Sequence, residues 1–292
     1  MKQKVMDFYE KHYRKLMLIS IAIFVLCIAV IAVHHIKTGE FIEKGITLKG
    51  GSLITVQLNT PVDVDAIQNE LRKITPEDIT VKEFSSSAGA QLGIIIETTS
   101  QDATFIKDFL NKNHDVKTIN IETIGPSLGE SFFKQAIISV IIAFILMALV
   151  VLIYFRLLVP SGYIVLCALG DILFPWAMLL LLNVKLSTAG VAALLMLIGY
   201  SVDTDILLTT RVLKRQGTTN EKIFGAFSTG VIMTLAAMAA TGIAYLTTPS
   251  EVLKQIMMIL FFGLVADLWN TWLLNTALLK SYVDRKKEQQ NG

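Results

Sequence analysis

Residues 198–215 read IGYSVDTDILLTTRVLKR. They end a long apolar run and carry two carboxylates, Asp203 and Asp205, before Arg211, Lys214 and Arg215 close it. An Asp near the centre of a membrane span costs about 2.5–3.5 kcal/mol on insertion scales, so such a residue is a functional hypothesis by default. At about 100° per residue, Asp203 and Asp205 lie roughly 200° apart on one helix. Asp203 shares its stripe with Gly199, Tyr200, Leu207 and Thr210, and Asp205 shares its stripe with Ser201, Val202 and Thr209. Neither stripe suits lipid, which predicts a helix enclosed by others on most sides.

The composition of the whole chain is apolar as well. Of 292 residues, 53% are hydrophobic and 17% charged, a balance that signals several membrane spans and excludes an ordinary soluble domain. A net charge of +2 implies no nucleic-acid partner. Cys27 and Cys167 each lie in an apolar run, so neither a disulfide framework nor a metal set is indicated, and no cofactor motif is present. The paired His34 and His35 fit a span end better than a metal site.

Six apolar runs are long enough to cross about 30 Å of hydrocarbon. The first covers 16–36, and the others cover about 133–155, 160–182, 187–210, 223–247 and 253–279. Ahead of the first, residues 1–15 are basic, with apolar residues at Val5, Phe8, Tyr9 and Tyr13, which suits a short interfacial helix on membrane lipids. A polar segment, 37–131, can fold outside the membrane. Its pattern reads as strand 52–58, helix from Asp63 or Asp65 to Ile74, strand 79–84, a flexible turn at 85–90, strand 92–97, helix 102–113 and strand 117–123. That β-α-β-β-α-β order predicts a ferredoxin-like α+β unit, a fold that does not specify function. A bundle of five helices, 132–280, and a short tail, 281–292, complete the chain. Lys and Arg gather on one side, in both tails, at Arg156 and in the loop 211–222, whereas the opposite short loops hold only Lys185 and Lys254. Both termini are therefore expected in the cytoplasm and 37–131 outside, in a multi-pass plasma-membrane protein.

Three spans carry carboxylates: Asp171 on the third, Asp203 and Asp205 on the fourth, Asp267 on the sixth. All four could border one layer if those helices meet. No Lys or Arg falls within these cores. Either the carboxyls stay protonated and donate hydrogen bonds, or a basic group of a second polypeptide or a water-filled crevice supports the charged form. Both outcomes suit proton-coupled work; a structural role, hydrogen-bonded to Ser, Thr or Asn of a neighbouring helix, is the plainer alternative. Gly199, Tyr200, Ser201, Thr204 and Arg211 are the supporting candidates, Arg211 more readily as an interfacial anchor. The fifth span is rich in small residues, including Gly225, Gly230 and Gly242, which permit close helix packing. Gly170 beside Asp171 could admit a neighbouring backbone. Nothing resembles a catalytic triad or nucleotide site, so an enzyme is not expected.

KGGSLITVQL (49–58), IGPSLGESFFKQA (124–136) and the long stretch from Ala168 to Arg215 together resemble SecF, the smaller partner of the SecD–SecF export complex within the RND superfamily. The resemblance implies one span, an exterior domain and five more spans, half of an RND-type bundle. It implies three partners: a SecD-like six-helix subunit, the Sec protein-conducting channel and the translocating polypeptide. It also implies proton movement that drives the exterior domains. By position, Asp203 is similar to the fourth-helix carboxylate used in proton coupling by the SecD half. Asp171 takes the place of the Asp in the family's third-helix His-Asp pair, with Gly170 in place of the His. Asp203-Thr204 stands where bacterial chains usually have Asn-Asp, and Gly230 where many have a basic residue, as in an archaeal-type SecF. The alternatives are a stand-alone RND-like exporter of lipid or small hydrophobic molecules, and a non-transporting scaffold of the export channel.

Overall fold

The computed structural model describes residues 2–75, 77–85 and 90–291, with the side chains of 11–75, 77–85 and 90–289. The turn expected at 85–90 therefore falls largely outside the described residues, as do the apolar side chains of Val5, Phe8 and Tyr9.

The chain is mostly helical, with one small sheet. Its elements run α1 (Lys2–Thr38), α2 (Ile46–Lys49), β1 (Gly51–Leu58), α3 (Val64–Ile74), β2 (Ile79–Ser85), β3 (Gln91–Thr98), α4 (Thr104–Asn113) and β4 (Val116–Ile124). After them come α5 (Pro126–Phe155), α6 (Leu158–Leu181), α7 (Thr188–Lys214), α8 (Thr219–Thr247), α9 (Glu251–Trp269), a π-helical segment (Asn270–Asn275) and α10 (Thr276–Asn291). Six helices are long and apolar enough to cross a membrane: Lys11–Thr38, Pro126–Phe155, Leu158–Leu181, Thr188–Lys214, Thr219–Thr247 and Glu251–Gln289. The segment before the first run is no separate helix. It continues α1 without a break, because Lys11 to Lys15 offer no Gly or Pro to interrupt it.

The sheet order is β2-β3-β1-β4, antiparallel throughout. Alternation along the strands sends Ile54, Val56, Ile79, Ile94 and Ile96 to one face. There they meet Ile67 and Leu71 of α3 and Ile106 and Leu110 of α4. The Asp63 side chain caps α3 by accepting from the amides of Asp65 and Ala66 at 3.0 and 3.3 Å.

The helical bundle is built on α6, α7 and α9. Ile172 and Leu179, Leu194, Leu197 and Ile198, and Ile259 and Leu260 form their common apolar core. A Cβ on Gly263 would stand 2.2–2.7 Å from Leu197 side-chain atoms, so this glycine sets how closely α9 approaches α7. By contrast α1, α5 and α8 expose long apolar faces, with Leu26, Ile145, Ile153, Ile232 and Leu246 among them. Those faces suit hydrocarbon, as the buried stripes of α6 and α7 do not.

The sheet is fastened to one end of the bundle. Leu186, in the turn between α6 and α7, donates its amide to Glu43 O at 2.7 Å and accepts from Gly45 N at 2.8 Å. Lys185 Nζ lies 3.0 Å from Asp78 Oδ2 and 3.1 Å from Thr80 Oγ1. Gly50, between α2 and β1, has φ +89°, and a Cβ there would stand 2.6 Å from Pro126 Cα. Gly129 is equally constrained, its added Cβ falling 2.6 Å from Gly50 N. The glycine-rich stretch 49–58 and the return stretch 124–136 thus lie directly against each other.

Candidate functional site: a buried carboxylate layer

Asp171 on α6, Asp205 on α7 and Asp267 on α9 are all fully buried. Each is held by neutral donors. Asp171 Oδ2 accepts from Ser201 Oγ at 2.5 Å, and its Oδ1 accepts from Asn270 Nδ2 at 2.7 Å. Asn270 is in turn met by Ser20 of α1, whose hydroxyl lies 3.3 Å from its Oδ1. Asp267 lies within 3.1 Å of Thr204 Oγ1 at both carboxylate oxygens, within 3.1 Å of Thr234 Oγ1 and within 2.8 Å of Thr271 Oγ1. Asp205 Oδ1 accepts from Asn275 Nδ2 at 2.6 Å and lies 3.1 Å from the Thr271 hydroxyl. Residues of α1, α6, α7, α8, α9 and the π segment, six helical elements, therefore feed one polar layer.

Among the described residues, no Lys, Arg or His donates to these carboxylates. An ionised carboxylate taken into a dry interior without a counter-charge carries a desolvation cost on the order of tens of kcal/mol by Born solvation, and in practice it neutralises instead. Three such groups in one layer must draw on protons or on charge brought from elsewhere. Chemically, the arrangement can hold and exchange protons among acids of matched type, joined by hydroxyl and amide side chains.

Local structure explains why the donors converge. Asp267, Thr271 and Asn275 recur at i, i+4 and i+8, one face of a helix. The π segment adds to this. Thr276 donates its amide to Thr271 O, a five-residue step, and its hydroxyl accepts no share of the layer but also donates to Thr271 O at 2.9 Å. Single π turns concentrate at functional sites. Here the turn brings Asn270, Thr271 and Asn275, all almost completely buried, into the layer together.

Asp203 does not join it. The α7 face that carries Ala192, Met196, Gly199, Tyr200 and Asp203 is exposed. The expected enclosure of both α7 stripes is thus corrected: neighbours cover the Asp205 side, and the opposite side lies open, as the 200° separation demands. Ser201 and Thr204 are buried in the layer, whereas Gly199 has nothing near it and Tyr200 is half exposed. Arg211 lies beyond the layer at the end of α7, donating from Nη1 to Gly225 O and from Nη2 to Thr229 Oγ1 at 2.9 Å. Gly170 admits a side chain and not a backbone, since a Cβ there would stand 2.7 Å from Asn270 Nδ2. It clears the path by which Asn270 reaches Asp171. Gly230 is filled against by Trp272, whose ring would lie 2.4 Å from an added Cβ, whereas Gly242 would make only ordinary contact with Phe261 at 3.6 Å. Thr234, Thr271 and Ser20 were not singled out from sequence. For Thr271, the i+4 spacing from Asp267 was the available signal.

A family model described as protein export membrane protein SecD/SecF, C-terminal, matches residues 105–285. The protein-export membrane protein SecF of Pyrococcus furiosus is 34% identical over 290 residues, covering 99% of this chain and 97% of that one. The chain belongs to the SecF family. Its similarity to the SecF of Methanocaldococcus jannaschii, 37% identical over 284 residues, covers 94% of this chain and 96% of that one. In fold it matches the crystal structure of SecDF, a translocon-associated membrane protein from Thermus thermophilus, with a TM-score of 0.77 at 19% identity. That match takes in 94% of this chain, which spans 38% of the SecDF chain. A second SecDF structure, in a super-membrane-facing form, matches with a TM-score of 0.64 at 18% identity. Membership of SecF and six apolar helices make this a multi-pass membrane protein, and the buried carboxylates lie within its spans.

Proposed function

We propose that this chain is the SecF-type subunit of a protein-export complex, and that its carboxylate layer couples export to the proton gradient. The observation that carries the reading is the set of three fully buried carboxylates held, among the described residues, by neutral donors. Ionisable groups at membrane depth mark proton relays and pathways, and one proton moving down a membrane potential releases about 2.3 kcal/mol per 100 mV. The relatives' names as export proteins supply the process that such work serves.

The partners are a SecD-like six-helix subunit, the Sec channel and the translocating polypeptide. A chain that spans 38% of a SecDF polypeptide leaves a comparable half to be supplied. The open α7 face is where that half docks: Asp203, exposed between Met196 and the end of the span, gains a donor or a cation when covered. The Lys and Arg distribution supports a topology with both termini in the cytoplasm and residues 37–131 outside, and the sheet order supports reading that segment as a ferredoxin-like domain. That domain moves the emerging chain by changing its pose on the turn at Lys185 and Leu186. The work is conformational, with no bond made or broken in the substrate.

The test is Asp205→Asn, which removes one acid of the layer, in the chain assembled with its SecD-like partner. Gradient-driven export should fall to the level seen without a gradient, while the two subunits still co-purify. Unchanged export would favour a scaffold, in which the carboxylates only pack.

A further inference from the structure

The contact between Asp205, Thr271 and Asp267 contains a hydrogen-counting constraint. Thr271 Oγ1 is fully buried, 2.8 Å from Asp267 Oδ1 and 3.1 Å from Asp205 Oδ1. A hydroxyl has one hydrogen to donate and two lone pairs, and an ionised carboxylate only accepts. Thr271 can satisfy one carboxylate; the other contact becomes a hydrogen bond only if that carboxyl carries a proton and donates it. The surroundings of the two acids differ in the corresponding way. Asp267 faces hydroxyls of Thr204, Thr234 and Thr271, whereas Asp205 Oδ2 finds no partner among the described residues. The first is built to accept, the second to give.

We infer that Thr271 is a proton-positioning residue that joins Asp205 and Asp267 into a unit holding one proton between them. The transfer balances within the unit. The Asp205 proton passes to Thr271 Oγ1 as the hydroxyl's own proton passes to Asp267 Oδ1, so two O–H bonds break and two form. The hydroxyl is left pointing the other way and must rotate before the next transfer. The other titratable groups around the unit are Asp171 and Cys167 on α6. Asp171 is bound to Ser201 and Asn270, and the Cys167 thiol lies 3.6 Å from Asn270 O. Among the described residues, α1 and α8 contribute Ser20 and Thr234 to the layer, both uncharged. Thr271 lies in the π segment and stands between acids from two different helices.

This inference rests on the proton-coupling reading, and the test separates the two. Thr271→Val removes the hydroxyl at constant shape, Thr271→Ser keeps it, and Asp267→Asn removes an acid. Each is assembled with the partner subunit, and gradient-driven export is followed as a function of pH. Thr271→Val should lower the gradient-driven rate by about a hundredfold, the low end for a positioned proton-transfer group. It should also draw the two ionisations of the pH profile closer together, since coupled acids titrate in two separated steps that belong to the pair. Thr271→Ser should restore both rate and profile. A Thr271→Val protein with wild-type rate and profile, beside an inactive Asp267→Asn, overturns the relay and leaves coupling intact. Wild-type export in both overturns coupling and the relay with it. Should Thr271→Val not assemble, Thr271→Ala removes the same hydroxyl with less volume and is read the same way.

Discussion

Asp267→Asn is expected to leave the bundle folded and to reduce gradient-driven export by about a hundredfold to ten-thousandfold, the range for loss of a proton-transfer group. The fold should survive because the amide has the shape of the acid and lies among rotatable hydroxyls. Thr204, Thr234 and Thr271 each reach Asp267 through Oγ1, and a hydroxyl that donates to a carboxylate can turn to accept from an amide. What the amide cannot do is bind and release a proton. Asp267→Leu provides the contrast. It would leave buried hydroxyls without their acceptor at about 1–3 kcal/mol for each unsatisfied group, and should lower thermal stability as well as export. Export into lipid vesicles with and without an imposed gradient, beside a thermal denaturation curve in detergent, separates the two effects.

Gly50→Ala should have a large structural effect for a single methyl addition. Gly50 combines φ +89° with ψ 159°, a region that only glycine occupies readily, and other residues there cost about 1–3 kcal/mol. The added Cβ would also stand 2.6 Å from Pro126 Cα and 2.8 Å from Pro126 N. Those are backbone atoms at the start of α5, with no rotamer to change, so the two segments must part. The consequence is functional as well as structural, because this is where the sheet rests on a membrane-spanning helix. Limited proteolysis should find the sheet cleaved faster in Gly50→Ala than in wild type, with the bundle intact. Gly39→Ala is the control. It has a positive φ of +76° but nothing within 4 Å of an added Cβ, so strain acts there without collision.

Much of this architecture is legible in the sequence, for different reasons in different places. The apolar runs are long enough that no alternative competes, and alternation in the segment 37–131 marks four strands. The Asp63 cap is a local event and needs no tertiary information. The four-residue α2 escaped notice, since so short a helix has no periodicity to detect. At the site, helical geometry places Asp203 and Asp205 on opposite sides but does not say which side the neighbours cover. Both stripes mix small, polar and apolar residues, so composition does not decide it. The choice is made by where α6 and α9 pack, through contacts such as Gly263 on Leu197. The π turn is invisible for a related reason. Asn270 to Asn275 reads as ordinary helix, and only the pull of Asp171 and Asp205 on Asn270 and Asn275 makes the wider turn worthwhile. Gly170 shows the reverse case: its role follows at once when Asn270 is seen against it.

Infrared difference spectroscopy of the chain in lipid with its partner tests the central claim most directly, because a protonated carboxyl has its own carbonyl stretch. Imposing a proton gradient should change that band, and Asp171→Asn, Asp205→Asn and Asp267→Asn should each remove part of the change. A band that ignores the gradient, or a change that persists when all three residues are Asn, would show that the buried acids hold the helices together and carry no exchangeable proton.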